Sequence, residues 1–346
     1  MNLILEPIVK ILIVLFINLT LVSYLVLIER KVSAYIQNRI GPNRVGPWGL
    51  LQSVADVVKL FFKEDIVPKD ANKFIHSLAP VISVVVAFST FAVIPFGNKI
   101  TLYGNEYNLV IADVNVGVLV ILALTSLGVY GITLSGWSSN NKYSLLGGLR
   151  SSAQMISYEL SMGISLIGIL LMTQSMRLTQ IVAEQGGYIF GFIPNWNIFL
   201  QPIGFIIFLV STFAETNRLP FDLPEAEEEL VGGYHTEYSG MKFGLFFLAE
   251  YASMITASAF IVTLFLGGWQ APFIEYFNFS PFVISLLQLS AFAIKVLFVL
   301  LFFILIRWTI PRFRYDQLMN IGWKVMLPLS LLNLIVTAFL ILINIL

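Results

Sequence analysis

The chain of 346 residues has no cysteine and only two histidines, His76 and His235. Disulfides, cysteine-held iron–sulfur clusters and a Cys/His zinc site are therefore excluded within it. Charge is scarce as well: 12% of residues are Asp, Glu, Lys or Arg, against about a quarter in a soluble domain. The 20 basic and 20 acidic residues cancel, so there is no basic excess of the kind that binds nucleic acid. Polar stretches long enough for a separate soluble domain are missing; the longest, 29–77, is itself partly apolar. The opening MNLILEPIVK lacks the basic segment of a secretory signal, so the first apolar run is expected to be a retained helix. No internal repeat of the kind that organises many secondary transporters is visible.

What the chain has is hydrophobicity. A composition 58% hydrophobic with a mean hydropathy of +0.86 predicts an all-α integral membrane protein, one membrane domain over 1–346. Runs of about 20 apolar residues, the length that crosses a bilayer, give eight transmembrane helices near 8–28, 78–96, 114–134, 155–172, 198–214, 243–266, 281–306 and 325–346. The fifth is short and carries Pro202. Basic residues test it, because they gather on one side of a membrane. With eight spans, the segments 29–77, 135–154, 215–242 and 307–324 share a side and hold sixteen of the 20 basic residues. Without the fifth span the asymmetry disappears. Eight spans place both termini outside and the four charged segments in the cytoplasm or its equivalent.

The first charged segment contains GLLQSVADVVKLFFK at 49–63, with Gln52, Ser53, Asp56, Lys59 and Lys63 at helical spacing among Leu, Val and Phe. This pattern suits an in-plane amphipathic helix in the membrane interface; an ordinary surface helix beneath a partner is the plainer alternative. Before it, RIGPNRVGPWG at 39–49 reads as a series of turns that hold Arg39 and Arg44 close to the membrane surface. The Gly-Lys-Ser/Thr ending of a phosphate loop is missing.

Besides Lys10 near the start of the first run, three charges fall inside apolar runs: Glu159, Glu250 and Lys295. A charge at a helix centre costs roughly 2.5–3.5 kcal/mol, so each should face the bundle interior, a partner or water. A structural hydrogen bond to a neighbouring helix would also satisfy each. The segment ETNRLPFDLPEAEEELVGGYHTEY at 215–238 then holds seven of the chain's 20 acidic residues: Glu215, Asp222, Glu225, Glu227, Glu228, Glu229 and Glu237. If 225–230 is helical, Glu225 and Glu229 lie one turn apart with Glu228 on the same side. Like charges about 6 Å apart repel by roughly 3 kcal/mol at an effective dielectric near 20. In a shielded cavity they would share protons as a coupled set; in open water they would be a solvated face. Apolar and kinked flanks, together with Glu159, Glu215 and Glu250, favour an acidic path from the cytoplasmic surface to the membrane interior. His235 could exchange protons near neutral pH, or be a structural loop residue; no second ligand lies near it for a metal.

ERKVSAYIQNRIGPNRVGPWGLLQSVADVVKLFFKED (29–65) and AETNRLPFDLPEAEEELVGGYHTEYSGMKFGLFFLAEY (214–251) resemble the H-subunit family of the proton-pumping NADH:quinone oxidoreductase, respiratory complex I. GWSSNNKYSLLGGLRSSAQMISYEL (136–160) is similar to a third stretch of that family, and the likeness extends over essentially the whole chain. The resemblance implies a heel-like membrane component beneath the peripheral redox arm. It would form much of the quinone chamber and its membrane entrance and contact antiporter-like membrane subunits. Quinone would be the substrate. This chain would bind no cofactor, with iron–sulfur clusters, FMN and NADH held by partner subunits. The entrance would be framed by span one, the in-plane helix and span six, near Arg30, Arg39 and Arg44, with Arg218 and His235 toward the chamber. The proton path would run through Glu159, Glu215, Glu225, Glu227, Glu229 and Glu250, with Arg218 pairing locally and Glu228 at its margin. The implied location is an energy-transducing membrane, the bacterial inner (plasma) membrane. The membrane anchor of an energy-conserving hydrogenase would share the acidic loop without quinone chemistry, and a stand-alone ion transporter is a third reading. The complete ERK–GPNRVGP–GLLQ stretch favours the first. The outer loops 97–113 and 173–197 carry no motif.

Overall fold

A computed structural model describes residues 2–102, 105–189, 191–223, 230–274 and 279–343. Helix α1, Asn2–Ile36, has 35 residues, about 52 Å at the α-helical rise and well beyond the ~30 Å hydrocarbon core. Its surplus extends past the apolar run and carries Glu29, Arg30 and Lys31. Helix α2, Gln52–Phe62, buries none of its residues. It is tied to α1 by Ser53 Oγ, which donates to the Ser23 carbonyl (2.6 Å), and by the Arg30–Asp56 ion pair (2.5 Å). The Phe61 and Phe62 side chains stay exposed.

Helix α3, Lys73–Ser89, is capped by Asn72, whose side chain accepts from the Ile75 N–H. After it come a short antiparallel hairpin, β1 (Lys99–Leu102) with β2 (Asn105–Asn108), and helix α4, Gly117–Ser138. Helix α5, Lys142–Thr173, begins well before its apolar run because Asn141 accepts from the Tyr143 N–H at 2.9 Å and starts it early. Helix α6, Leu178–Glu184, leads to a second small hairpin, β3 (Tyr188–Ile189) with β4 (Ile193–Pro194). These hairpins close backbone hydrogen bonds inside the two connections that lack apolar runs. Among the described residues they are the only strands in an otherwise helical protein.

Helices α7, Asn197–Leu200, and α8, Pro202–Glu215, are separated by Gln201, whose backbone leaves the helical region (φ −130°, ψ 56°). Pro202 starts α8 because a proline needs no partner for a missing N–H at a helix's first turn. The break is buried, so its polar groups need partners. The Gln201 side chain donates to Thr337 Oγ1 (2.7 Å) and accepts from Asn333 Nδ2 (3.0 Å). Helix α9, Gly240–Phe265, helix α10, Pro281–Thr309, and helix α11, Tyr315–Asn320, follow. A π-helical turn at Ile321–Met326 joins α11 to helix α12, Leu327–Leu342, which supplies Asn333 and Thr337.

Among the described residues, seven helical stretches are long and apolar enough to cross a membrane: Leu5–Ile36, Lys73–Ala92, Gly117–Ser138, Lys142–Thr173, Gly240–Phe265, Pro281–Thr309 and Tyr315–Leu342. The eighth apolar helix, α8, has 14 residues, about 21 Å. The chain is thus an all-helical membrane protein. Helix α3 packs on α4 and α9, and α5 packs on α4, α8 and α12. Two thirds of the apolar window of α9 is buried (67%), against 22% for α1. Helix α9 is therefore the central post, and charges it carries fall in the interior rather than in lipid.

Candidate functional site

The C-terminus of α8 delivers Glu215, and the chain then turns sharply back. Gln154 of α5 holds this turn, donating from one amide to the carbonyls of Ala214 and Phe221, both at 2.7 Å. Arg218, only 3% exposed, projects from the turn into the helix bundle. Its Nε lies 2.8 Å from Glu250 Oε1 on α9. Its Nη1 lies 3.4 Å from both carboxylate oxygens of Glu29 at the inner end of α1. Glu29 also accepts from the Tyr251 hydroxyl (2.7 Å) and from Arg307 in the last turn of α10. The Arg218 guanidinium stacks 4.3 Å over the Tyr251 ring. Two carboxylates thus meet two guanidiniums in a charge-balanced cluster, the condition under which charges tolerate burial.

A second group lies on the other side of Glu215. Its carboxylate sits against Thr125 and within electrostatic reach of Glu159 on α5. Glu159 Oε1 accepts from Ser126 of α4. Glu215 and Glu250 both line one partly enclosed cavity of about 100 Å³, whose wall also holds Thr125, Asn217, Ser253 and Thr256. That volume admits several waters, and hydroxyls and carboxylates give each the polar partners it requires. Glu250 belongs to the ion cluster as well as to this wall, so it joins the two groups.

The far end of the acidic loop is also fastened. The Tyr238 ring stacks on the fully buried His76 ring of α3 (3.9 Å between centroids, 4° between planes). Its hydroxyl lies 3.4 Å from Ser138 Oγ, and burial pushes its pKa up to about 12, so it stays protonated near neutral pH. Glu237 accepts from Asn141 at 2.6 Å, and Asp222 pairs with Arg312 at 3.0 Å.

A family model for NADH dehydrogenase matches residues 9–338. The chain is 56% identical over 324 residues to the NADH-quinone oxidoreductase subunit 8 of Rhodothermus marinus, covering 91% of each chain. It is 56% identical over 325 residues to the NADH-quinone oxidoreductase H-subunit of Salinibacter ruber, covering 91% of this chain and 90% of that one. Identity to the second H-subunit of Geobacter sulfurreducens is 52% over 330 residues, or 95% and 94% of the two chains. The chain belongs to the H-subunit family of NADH-quinone oxidoreductase.

As an H-subunit it is a multi-pass membrane component of that complex, whose other subunits are its partners. Of the site residues singled out in its sequence, Glu215 lies within electrostatic reach of Glu159, and Glu250 meets Arg218. Arg218 pairs across the bundle with α1 and α9 rather than within its own loop. Arg30 is engaged by α2, and Arg39 and Arg44 are exposed in the turns before α2, with Arg39 donating to Gln37 (2.6 Å). None of these three reaches the ion cluster. His235 packs edge-on against Tyr234 and Phe243. Glu225, Glu227, Glu228 and Glu229 lie outside the described residues. Among the described residues no group of three or more His, Asp or Glu side chains could hold a metal ion.

Glu29, Tyr251, Gln154 and Arg307 were not singled out from the sequence. A charge at the end of an apolar run is ordinary, and no local rule separates Glu29 from its exposed neighbours. Its one sequence signal is position: Glu29, Arg218 and Arg307 stand at the margins of three spans on the same predicted side.

Proposed function

We propose that this chain forms the quinone chamber and membrane entrance of its complex and couples quinone reduction to proton translocation through buried carboxylates. The observation that carries this reading is the shared cavity of Glu215 and Glu250, with Glu250 also bound to the Arg218–Glu29 cluster. Reducing a quinone to quinol consumes two electrons and two protons. Electrons would come from iron–sulfur clusters of partner subunits, supplied through FMN from NADH, since this chain lacks the cysteines to hold such clusters. A change of charge beside Glu250 alters the electrostatic balance of the cluster. It would thereby shift proton occupancy among Glu250, Glu215 and Glu159. Glu225, Glu227 and Glu229 would belong to the same path, as the likeness of the 214–251 stretch to the family implies. Antiporter-like membrane partners would sense this redistribution electrostatically.

The entrance would be framed by α1, α2 and α9. The exposed apolar face of α2 would lie in the interface, with Arg30, Arg39 and Arg44 at the headgroup level; Arg218 and His235 belong to the chamber side. Helix α8, prolonged by α7, would serve as the fifth of eight crossings, leaving both termini on the side opposite the charged segments. The bacterial sources of the relatives support the inner membrane as the location. Their names carry quinone, which supports quinone chemistry over that of a hydrogenase anchor or a stand-alone transporter.

The test is Glu215→Gln and Glu250→Gln in the whole complex. Each is expected to leave the complex assembled while lowering quinone reductase turnover roughly tenfold or more, with fewer protons pumped per electron. Normal stoichiometry in both variants would remove these carboxylates from the coupling path.

A further inference from the structure

Helix α9 ends at Phe265 in apolar surroundings; the Val262 carbonyl takes the Leu266 and Gly268 N–H groups, and the carbonyls that follow it need partners from outside the helix. Side chains from three other parts of the chain take them up. Gln185, just after α6, donates to the Thr263 carbonyl (3.0 Å) and accepts from the Gly267 N–H (2.9 Å). Asn197, at the start of α7, donates to the Leu264 carbonyl (2.7 Å). Lys295, in the middle of α10, donates to the carbonyls of Leu266 (2.7 Å), Gly268 (3.1 Å) and Gln270 (2.6 Å). These three acceptors use all three hydrogens of an ammonium. The same nitrogen sits 4.3 Å above the Trp196 ring. Trp196 in turn depends on Gly267, where a Cβ would fall 2.4 Å from the indole nitrogen.

At the other end of α9, Ser239 makes no side-chain cap but accepts from the Ile66 N–H (3.0 Å) and donates to the Glu64 carbonyl (2.9 Å), and Lys242 pairs with the half-exposed Asp65 (2.9 Å). Ending a helix needs no buried cation: glycines with positive φ suffice, and Gly267 and Gly268 are already there (φ +71° and +50°). The lysine supplies something further, a fixed rotation and height. Helix α9 is continuous from the anchor back to Glu250 and Tyr251. A slip of one residue at the anchor would turn every side chain on it by about 100° and move it about 1.5 Å.

We propose that Lys295 is a positioning residue for the carboxylate site, locking α9 so that Glu250 meets Arg218 and Tyr251 meets Glu29. The proposal rests on the role given to Glu250 above. The measurements are made on the whole complex in membranes, with activity expressed per assembled complex on native gels. Lys295→Met should lower kcat for quinone reduction roughly tenfold, leave KM for quinone within about twofold, and lower the protons pumped per electron. Lys295→Arg should recover most of the loss. A cap that serves folding alone would reduce the amount of complex and leave kcat and pumping per complex unchanged; that result overturns the proposal. If Lys295→Met does not assemble, Asn197→Ala decides. It removes one anchor contact and should lower kcat in the same direction by a smaller factor, and an unchanged kcat there also overturns the proposal. Glu250→Gln run in parallel separates the two claims. Should it lower pumping while the anchor variants do not, only the anchor is wrong; should it change nothing, the reading of the carboxylate path fails first.

Discussion

Arg218 is a single guanidinium serving carboxylates from two helices far apart in sequence, Glu29 and Glu250. Its planar fork reaches both at once, which a lysine ammonium at the end of a flexible stem cannot reproduce. Arg218→Met would leave Glu29 with Arg307 and Tyr251 and would remove the guanidinium from Glu250, and losing one partner of a buried pair typically costs about 3–5 kcal/mol. The expected outcome is a sharp fall in assembled complex on native gels, with Arg218→Lys intermediate; full assembly of the methionine variant would mean that the cluster is hydrated. At this scale the sequence was informative where a charge interrupts an apolar run, as at Glu159 and Glu250. It was silent about Glu29 and Arg307, because a charge at a helix end looks solvated until the tertiary fold wraps around it.

Among the elements, the approach of α5 to the acidic loop decides the geometry. A Cβ on Gly147 would fall 2.7 Å from the Tyr234 backbone nitrogen and 2.9 Å from Gly233, contacts that only a glycine permits. Gly147→Val should therefore push the 233–235 turn off α5 and lower quinone reductase activity severalfold in complexes that still contain this chain. Wild-type activity per complex would show that the turn adapts freely. The long apolar helices were legible because twenty or so apolar residues admit few alternatives. The early start of α5 was not, since Lys142–Gln154 is mostly polar or small and its helicity depends on the Asn141 cap and on packing. The extension of α1 through Glu29–Ile36 was hidden in the same way, its charges reading as loop. Helix α2 was visible in its periodicity, whereas the two hairpins lie in connections with no periodic signal at all.

For the whole molecule, the two faces are built differently. The side with the charged segments carries the ion cluster, the cavity and α2. The opposite side is closed by loops clipped together, as where Arg177 and Thr179 both donate to Asp113. Arg177 beside Asp113 holds its carboxyl below the usual carboxylate range. A folded-state pKa below the unfolded value contributes stability that is present above about 3.9 and is lost as the pH falls through the lower folded value. Asp113→Asn should thus lower the thermal stability of the complex at neutral pH, with the difference from wild type fading below about pH 4. Melting curves across that range check it, and a difference that persists in acid would assign the effect to something other than this ion pair.

The broken entry to α8 has a consequence for how such a chain comes together in a bilayer. Gln201 obtains its hydrogen-bonding partners from Asn333 and Thr337, more than a hundred residues downstream. While a ribosome is still making the chain, those donors and acceptors have not yet emerged, and an amide left bare in hydrocarbon is unfavourable. The fifth apolar helix therefore reaches its final seat only after the last one arrives, so biogenesis closes this bundle from its tail.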